Sequence, residues 1–444
     1  MEYTQHEDYC SSRWAQRWET MTEVPFAFGK SGISVPLPSG AAYEVVESRS
    51  APALRHVHAA LDEALDHPIA GLPLRTLAEG KKTATIAVCD ITRPAPNRLT
   101  LPPLLQRLHA AGIPVENVTI LIATGLHRGA TAAEIDAIVG TEIASRYRVL
   151  NHDARSHEDH RFLGNTRNGT PVYIDERFMS ADLHLTLGFI EQHLMLGFSG
   201  GRKLVAPGVA AQQTIKVIHS PRFMREPLAT EGSIADNPLH AELLEMAAMA
   251  RHDFLLDVTL TREREISGIF AGEPVKAHAA GVEFLRSTSL AKLPALADVV
   301  ITSAAGHPLD LTFYQTIKGI TAATHIVKPG GRILVLGECA EGIGSPEFAA
   351  KLKSYSGAAA YLEQIRNSQV VVDQWQLEKL ALTQLRNELF FYIPGISKSQ
   401  LGCLADRSYA TLDEAIAAVM HGVPPDARVA LVPDGPYVFA RVAP

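Results

Sequence analysis

Cysteine is scarce. The 444 residues contain four, Cys10, Cys89, Cys339 and Cys403, far apart and in no CxxC pair. That spacing excludes a disulfide framework and a thiolate zinc site, and a reducing, cytoplasmic compartment is the expectation. No apolar run approaches the ~20 residues needed to span a bilayer. The opening MEYTQHEDYC lacks the basic and apolar regions of a secretory leader, so no membrane partner is expected. Positive charge is not in excess: 41 Lys+Arg against 48 Asp+Glu give a net charge of −7, which argues against a nucleic-acid partner. There is no fixed-period repeat, no low-complexity segment and no early GxGxxG turn. In GFSGGRKL the lysine, Lys203, is followed by Leu204 and not by Ser or Thr, so the stretch is no P-loop. What remains is ordinary for a globular chain, with 46% hydrophobic and 20% charged residues.

The hydrophobic pattern alternates strand and helix. TIAVCD (Thr85–Asp90), VTILIATG (Val118–Gly125) and LHLTLGFI (Leu183–Ile190) read as buried strands. Between them LPPLLQRLHAAGI reads as a helix with prolines near its start and Gly112 at its stop. In TAAEIDAIVG, Thr131 and Glu134 form a capping-box signature. A helix is expected over Thr214–His219, and another after the N-cap Asn237 and Pro238. A second series follows: strand Ala297–Gly306, helix Tyr314–Val327, the turn and strand PGGRILVLGEC, helices in PEFAAKLK and WQLEKLALTQLRNEL, and strand Arg428–Gly435. The fold class is α/β: two α/β domains with largely parallel sheets and a cleft between them, divided as 1–280 and 281–444.

Open α/β sheets bind ligands beyond the carboxyl ends of their strands, and the unusual polar residues collect there. Asp90, Thr92 and Arg93 follow the first strand, His127 the second and His193 the third, while Asp310, Gln315 and Lys318 follow the first strand of the second half. Taken singly, each has a plain reading: Asp90 as an N-cap, a lone histidine as a structural group. The run His152, His157 and His160 sits among polar residues without helical periodicity, and reads as a solvated loop in place of a metal site. The glycines before Lys203 permit a close backbone approach to an anionic ligand.

CDITRP, ATGLHRG, EQHLMLGFSGGRKLVAPG, TIKVIHS, PLDLTFYQTIKG and ECAEGIGSPEF follow one another from about residue 85 to residue 347, with Trp375 and Gln376 beyond. This set resembles the nickel-pincer-nucleotide-dependent lactate racemases and their 2-hydroxyacid racemase and epimerase homologues. The resemblance implies an active site between two α/β domains and a Ni(II) pyridinium-3,5-bisthiocarboxylic acid mononucleotide. By motif position that cofactor is covalently bound through Lys203, with His219 as metal ligand and Asp90, Thr92 and Arg93 in the loop that contacts it. His127 and His193 correspond to the acid/base pair, and Arg93, Gln315 and Lys318 to substrate-binding residues. Cofactor-biosynthesis proteins are implied as partners in maturation.

The chemistry fits those residue types. Removing the C2 hydrogen of a 2-hydroxy acid as a proton leaves a carbanion beside a carboxylate, whereas removing it as a hydride leaves a neutral ketone. The acceptor must then be a cofactor, because no side chain is a hydride sink. Two histidines on opposite sides exchange the hydroxyl proton for the two enantiomers. The expected function is therefore racemisation or epimerisation at C2 of a 2-hydroxy acid. Epimerisation of a sugar acid such as gluconate, net oxidation releasing a 2-keto acid, and a non-catalytic binding module are the alternatives.

Overall fold

The computed structural model describes residues 22–39 and 41–443, so Cys10 and the opening segment lie outside the described residues. The chain forms two compact units. One runs from Arg49 to Ser289; the other joins the described residues up to Ser48 to the chain from Leu290 onward.

The Arg49–Ser289 unit is built on a six-stranded sheet. Its spatial order is Ile266–Gly272, Phe254–Leu260, Leu183–Phe189, Ala84–Cys89, Val118–Ala123 and Arg148–Asn151. All neighbours are parallel except the edge strand Ile266–Gly272, which runs antiparallel to Phe254–Leu260. Every residue of Ala84–Cys89 and of Leu183–Phe189 is buried. A continuous apolar run of this kind is what a sheet covered on both faces requires. The first strand in sequence, Ala84–Cys89, lies inside the sheet. The chain next adds strands on one side of it, then returns to add Leu183–Phe189 on the other. The topological switch point thus falls between these two strands, where such sheets open a crevice at their carboxyl ends.

The helix Asn97–Ala110 covers one face through Leu101, Leu104, Leu105 and Leu108, the i, i+3, i+4, i+7 stripe of an amphipathic helix. It starts earlier than its prolines suggest: Pro102 and Pro103 lie inside it, and Pro96 precedes it. Thr131 and Glu134 make the full capping box, and Asn237 accepts the N–H groups of Leu239 and His240 at 3.0 and 3.2 Å.

The second unit has an all-parallel sheet in the order Glu388–Tyr392, Val327–Leu336, Ala297–Ser303, Arg428–Val432 and Ala42–Val45. Val300 and Ile333 face one apolar cluster with Phe313 and Ile317. Val299, Ile301 and Leu334 face the other, as strand alternation dictates. The grouping differs from a cut between residues 280 and 281. The helix Pro274–Ser289 runs unbroken across that point, and Ala42–Val45 pairs with Arg428–Val432. Glu388–Tyr392, whose first residues read as the end of a helix, is an edge strand. No helix among the described residues is long and apolar enough to cross a membrane.

Candidate active site

At the switch point the Ala84–Cys89 strand delivers Asp90, which is buried. Its Oδ2 accepts from His127 Nδ1 at 2.7 Å, and its Oδ1 accepts from Thr92 Oγ1 at 2.7 Å. Burial alone would raise this acid. The charge and hydrogen bond of His127, the Thr92 hydroxyl and the Arg93 cation together outweigh burial and hold the carboxyl below its ordinary range. Because a carboxylate only accepts, the His127 ring carries its proton on Nδ1, and Nε2 bears the lone pair. The loop beneath is fixed by His127 N–H to Thr124 O (2.9 Å) and by Gly125 N–H to Gly208 O (2.9 Å), which binds it to the Lys203 segment. Asp90 is thus the residue that orients His127, a link that the sequence pattern did not reveal.

The next strand, Leu183–Phe189, leads into a small hairpin in which Gln192 and His193 pair with Gly197 and Phe198. Ser199 staples its base: the hydroxyl donates to Phe189 O and accepts from Glu191 N–H, while Ser199 N–H donates to Glu191 O. His193 is buried. Its Nδ1 faces the backbone N–H groups of Leu196 at 3.3 Å and Met195 at 3.5 Å, so the neutral ring has its proton on Nε2. The two histidines are therefore opposite tautomers. Arg93 pairs with Glu191 at 2.9 Å, which ties the first loop to this hairpin.

Lys203 stands in the short helix Arg202–Val205, entered through Gly201 at φ 52°. Removal from water, reinforced by Arg93, lowers its amine to about 7. His219 closes the helix Gln212–Ile218. Its Nδ1 donates to Ile215 O at 2.8 Å, leaving the lone pair on Nε2. Burial lowers this imidazole to about 4, and the nearby Lys203 charge adds to the effect. A neutral ring with a carbonyl behind Nδ1 is the form in which histidine binds metals.

The other expected residues lie in the second unit. Gln315 and Lys318 are on the helix Phe313–Ala323, whose N-cap Thr312 accepts from Gln315 N–H. Trp375 Nε1 donates to Tyr314 Oη at 3.0 Å, and Gln376 Nε2 to Tyr314 O at 2.8 Å, which steadies the first turn. Asp310 accepts the backbone N–H groups of Gly29 and Glu338 at 2.7 and 3.1 Å.

The histidine run is not a solvated loop throughout. His152 is buried, with Nδ1 on Asp175 Oδ2 at 2.9 Å and Nε2 on Ala210 O at 3.1 Å. Arg177 takes both Asp175 oxygens. His160 lies edge-on to His152. The side chains of His152, His160 and Asp175 gather within metal-ligand range of one another. With both His152 nitrogens facing acceptors and Asp175 neutralised by Arg177, the arrangement reads as a buried polar stitch joining the 205–211 loop to the sheet. Sequence reasoning missed Asp175 and also Asp257 and Arg202, discussed below, because each gains its meaning from distant partners.

Comparison with known proteins identifies the family. Residues 28–232 match the model of the lactate racemase N-terminal domain, and residues 293–440 that of the lactate racemase C-terminal domain. A lactate racemase of Thermoanaerobacterium thermosaccharolyticum is 32% identical over 426 residues, covering 95% of this chain and 100% of that protein. A lactate racemase of Lactiplantibacillus plantarum is 32% identical over 385 residues, covering 86% and 90%. The solved structure of the T. thermosaccharolyticum lactate racemase apoprotein superimposes with a TM-score of 0.84, over 94% of this chain and 100% of that one. A Thermotoga maritima protein, 16% identical with a TM-score of 0.68 over 87% of this chain and 97% of that one, shares the fold.

Proposed function

This chain belongs to the lactate racemase family and is an isomerase of the racemase type; from that premise we propose that it inverts C2 of a 2-hydroxy acid, with His127 and His193 moving the hydroxyl proton. The observation that carries this reading is the 2.7 Å bond from His127 Nδ1 to the buried, ionised Asp90. A base so backed takes a proton at Nε2, and the imidazolium formed is stabilised by the adjacent anion. His193, with Nδ1 against the Leu196 amide, instead presents Nε2–H to an oxygen. For the other enantiomer the roles exchange, with His193 taking the hydroxyl proton and the His127 imidazolium returning one to the product oxygen.

Lys203 and His219 are the proposed holders of a nickel-pincer nucleotide, which when bound supplies the hydride acceptor that no side chain provides. The residues fit such a group. The Lys203 amine, lowered to about 7, is substantially uncharged and nucleophilic near neutral pH. His219 offers a neutral Nε2, a donor suited to nickel. Thr92 and Arg93, beside Asp90, complete the proposed cofactor-contacting loop. Arg93, Gln315 and Lys318 are the proposed substrate-binding residues, cations and an amide suited to a carboxylate. Maturation by cofactor-biosynthesis proteins is part of the proposal. So is a cytoplasmic location, in keeping with the free, buried thiols of Cys89 and Cys339.

The test uses chain co-produced with those proteins and a panel of enantiomerically pure 2-hydroxy acids, lactate and aldonates included. At least one is inverted without free keto acid, and inversion is lost in His127→Ala and His193→Ala. Accumulating 2-keto acid, or unchanged rates in both variants, contradicts the proposal. In intact-protein mass spectra Lys203→Ala lacks the covalent increment, and full nickel in His219→Ala would reject the ligand assignment.

A further inference from the structure

One carboxylate beneath the Gly197–Lys203 turn has no part in the acid/base scheme. Asp257 stands in the middle of the Phe254–Leu260 strand, FLLDVTL, with 0% of its surface exposed. Its Oδ2 accepts the Gly201 N–H at 2.8 Å, and its Oδ1 lies against Gly188. The chain is cleared around it: a Cβ on Gly200 would lie 2.4 Å from Oδ2, and one on Gly188 would lie 3.0 Å from Oδ1. The close backbone approach that these glycines permit is thus made by the chain's own acid.

Arg202 grips the turn through its carbonyls. It is 2% exposed. Nη1 donates to Ser199 O and Gly200 O at 3.3 Å and lies 2.9 Å from His278 Nε2, which is itself 2.8 Å from Ser199 O; Nη2 donates to Leu196 O at 3.0 Å and Phe198 O at 2.9 Å. Leu196 is also the residue whose N–H meets His193 Nδ1. A buried acid and a buried guanidinium are each costly to desolvate, and here both hydrogen-bond to one eight-residue stretch, 194–201, between His193 and Lys203.

We propose that Asp257 and Arg202 are positioning residues for the reaction: Asp257 fixes the turn through its amide, Arg202 through its carbonyls, and together they set the places of Lys203 and of the His193 hairpin. The inference rests on the reading that Lys203 and His193 are the attachment and acid/base residues. Burial raises Asp257 to about 7.

The test reads Lys203 directly in chain made without the cofactor pathway. Trace acetylation with acetic anhydride across pH 5–11, with the Lys203 peptide quantified by mass spectrometry, gives the amine's titration midpoint. The wild-type midpoint lies near 7. Asp257→Asn, whose amide oxygen still accepts from Gly201, stays near it. In Asp257→Ala the loosened turn admits water to the amine, and the midpoint rises by about one pH unit or more, a tenfold change. Asp257→Leu, of similar size and without an acceptor oxygen for Gly201, moves the midpoint in the same direction and serves if Asp257→Ala does not fold. A wild-type midpoint in whichever of these two variants folds, or a rise in Asp257→Asn equal to that in Asp257→Ala, overturns the clamp. In cofactor-loaded chain the covalent increment persists in Asp257→Asn and falls at least tenfold in Asp257→Ala. The acetylation result stands even where no increment is seen in the wild type, so failure of the clamp and failure of the cofactor reading are separable.

Discussion

Each of the two largely parallel sheets is followed, in the segment after an interior strand, by a buried aspartate. Asp90 follows Ala84–Cys89, and Asp310 follows Ala297–Ser303. Asp90 spends its oxygens on a histidine ring and a threonine hydroxyl. Asp310 spends Oδ2 on the backbone N–H groups of Gly29 and Glu338. In the proposed function the first aspartate serves proton chemistry, whereas the second anchors a loop. What separates them is the partner: a titratable ring can carry away a proton, and a backbone amide cannot. Location at a strand end makes an aspartate a candidate, and the group it faces decides its use.

That contrast can be broken by substitution. The largest effect is expected in Asp90→Asn, which keeps the shape but no longer fixes the His127 tautomer. Racemisation should fall about 10³–10⁴-fold with the melting temperature within about 8 °C of wild type, and activity within tenfold of wild type would place Asp90 with Asp310. Asp310→Ala should do the reverse. Two N–H groups lose their acceptor, which costs about 2–4 kcal/mol of stability by denaturant titration, while the rate per folded molecule holds; a large rate loss in stable protein would erase the distinction. Lys318→Ala tests whether the second sheet contributes binding alone: KM should rise about tenfold or more with kcat little changed, and a kcat loss matching that of Asp90→Asn would contradict it.

The smallest effect concerns pH. The Asp90 pKa is lowered in the fold, so its ionised form stabilises the native state above the ordinary carboxylate range, and that contribution is lost as pH falls through the lowered value. The stability advantage of wild type over Asp90→Asn should therefore shrink below about pH 4. A difference that grows as pH falls below about 4 would reverse the sign.

Much of this was legible in the sequence because it is local. Ala84–Cys89 and Leu183–Phe189 show as apolar runs, Thr131 with Glu134 and Asn237 with Pro238 as helix starts. The placement of Asp90, His127 and His193 at strand ends follows from those strands. Their pairing did not, since Asp90 and His127 are 37 residues apart and nothing in either loop names the other. Asp257 hides within an apolar run, and its anchoring role depends on a glycine 56 residues away. The short strand Ala42–Val45 carries no mark of its partner near residue 430. His152 looked solvated because the Asp175 and Ala210 groups that bury it come from later elements.

The central claim is that the Asp90-backed His127 and His193 handle only the hydroxyl proton while the C2 hydrogen never meets solvent as a proton. Its most direct test is inversion of a pure 2-hydroxy acid by cofactor-loaded chain in D₂O, followed by NMR of the product. The account predicts inverted product that retains protium at C2. Deuterium at C2, appearing in step with inversion, would contradict it.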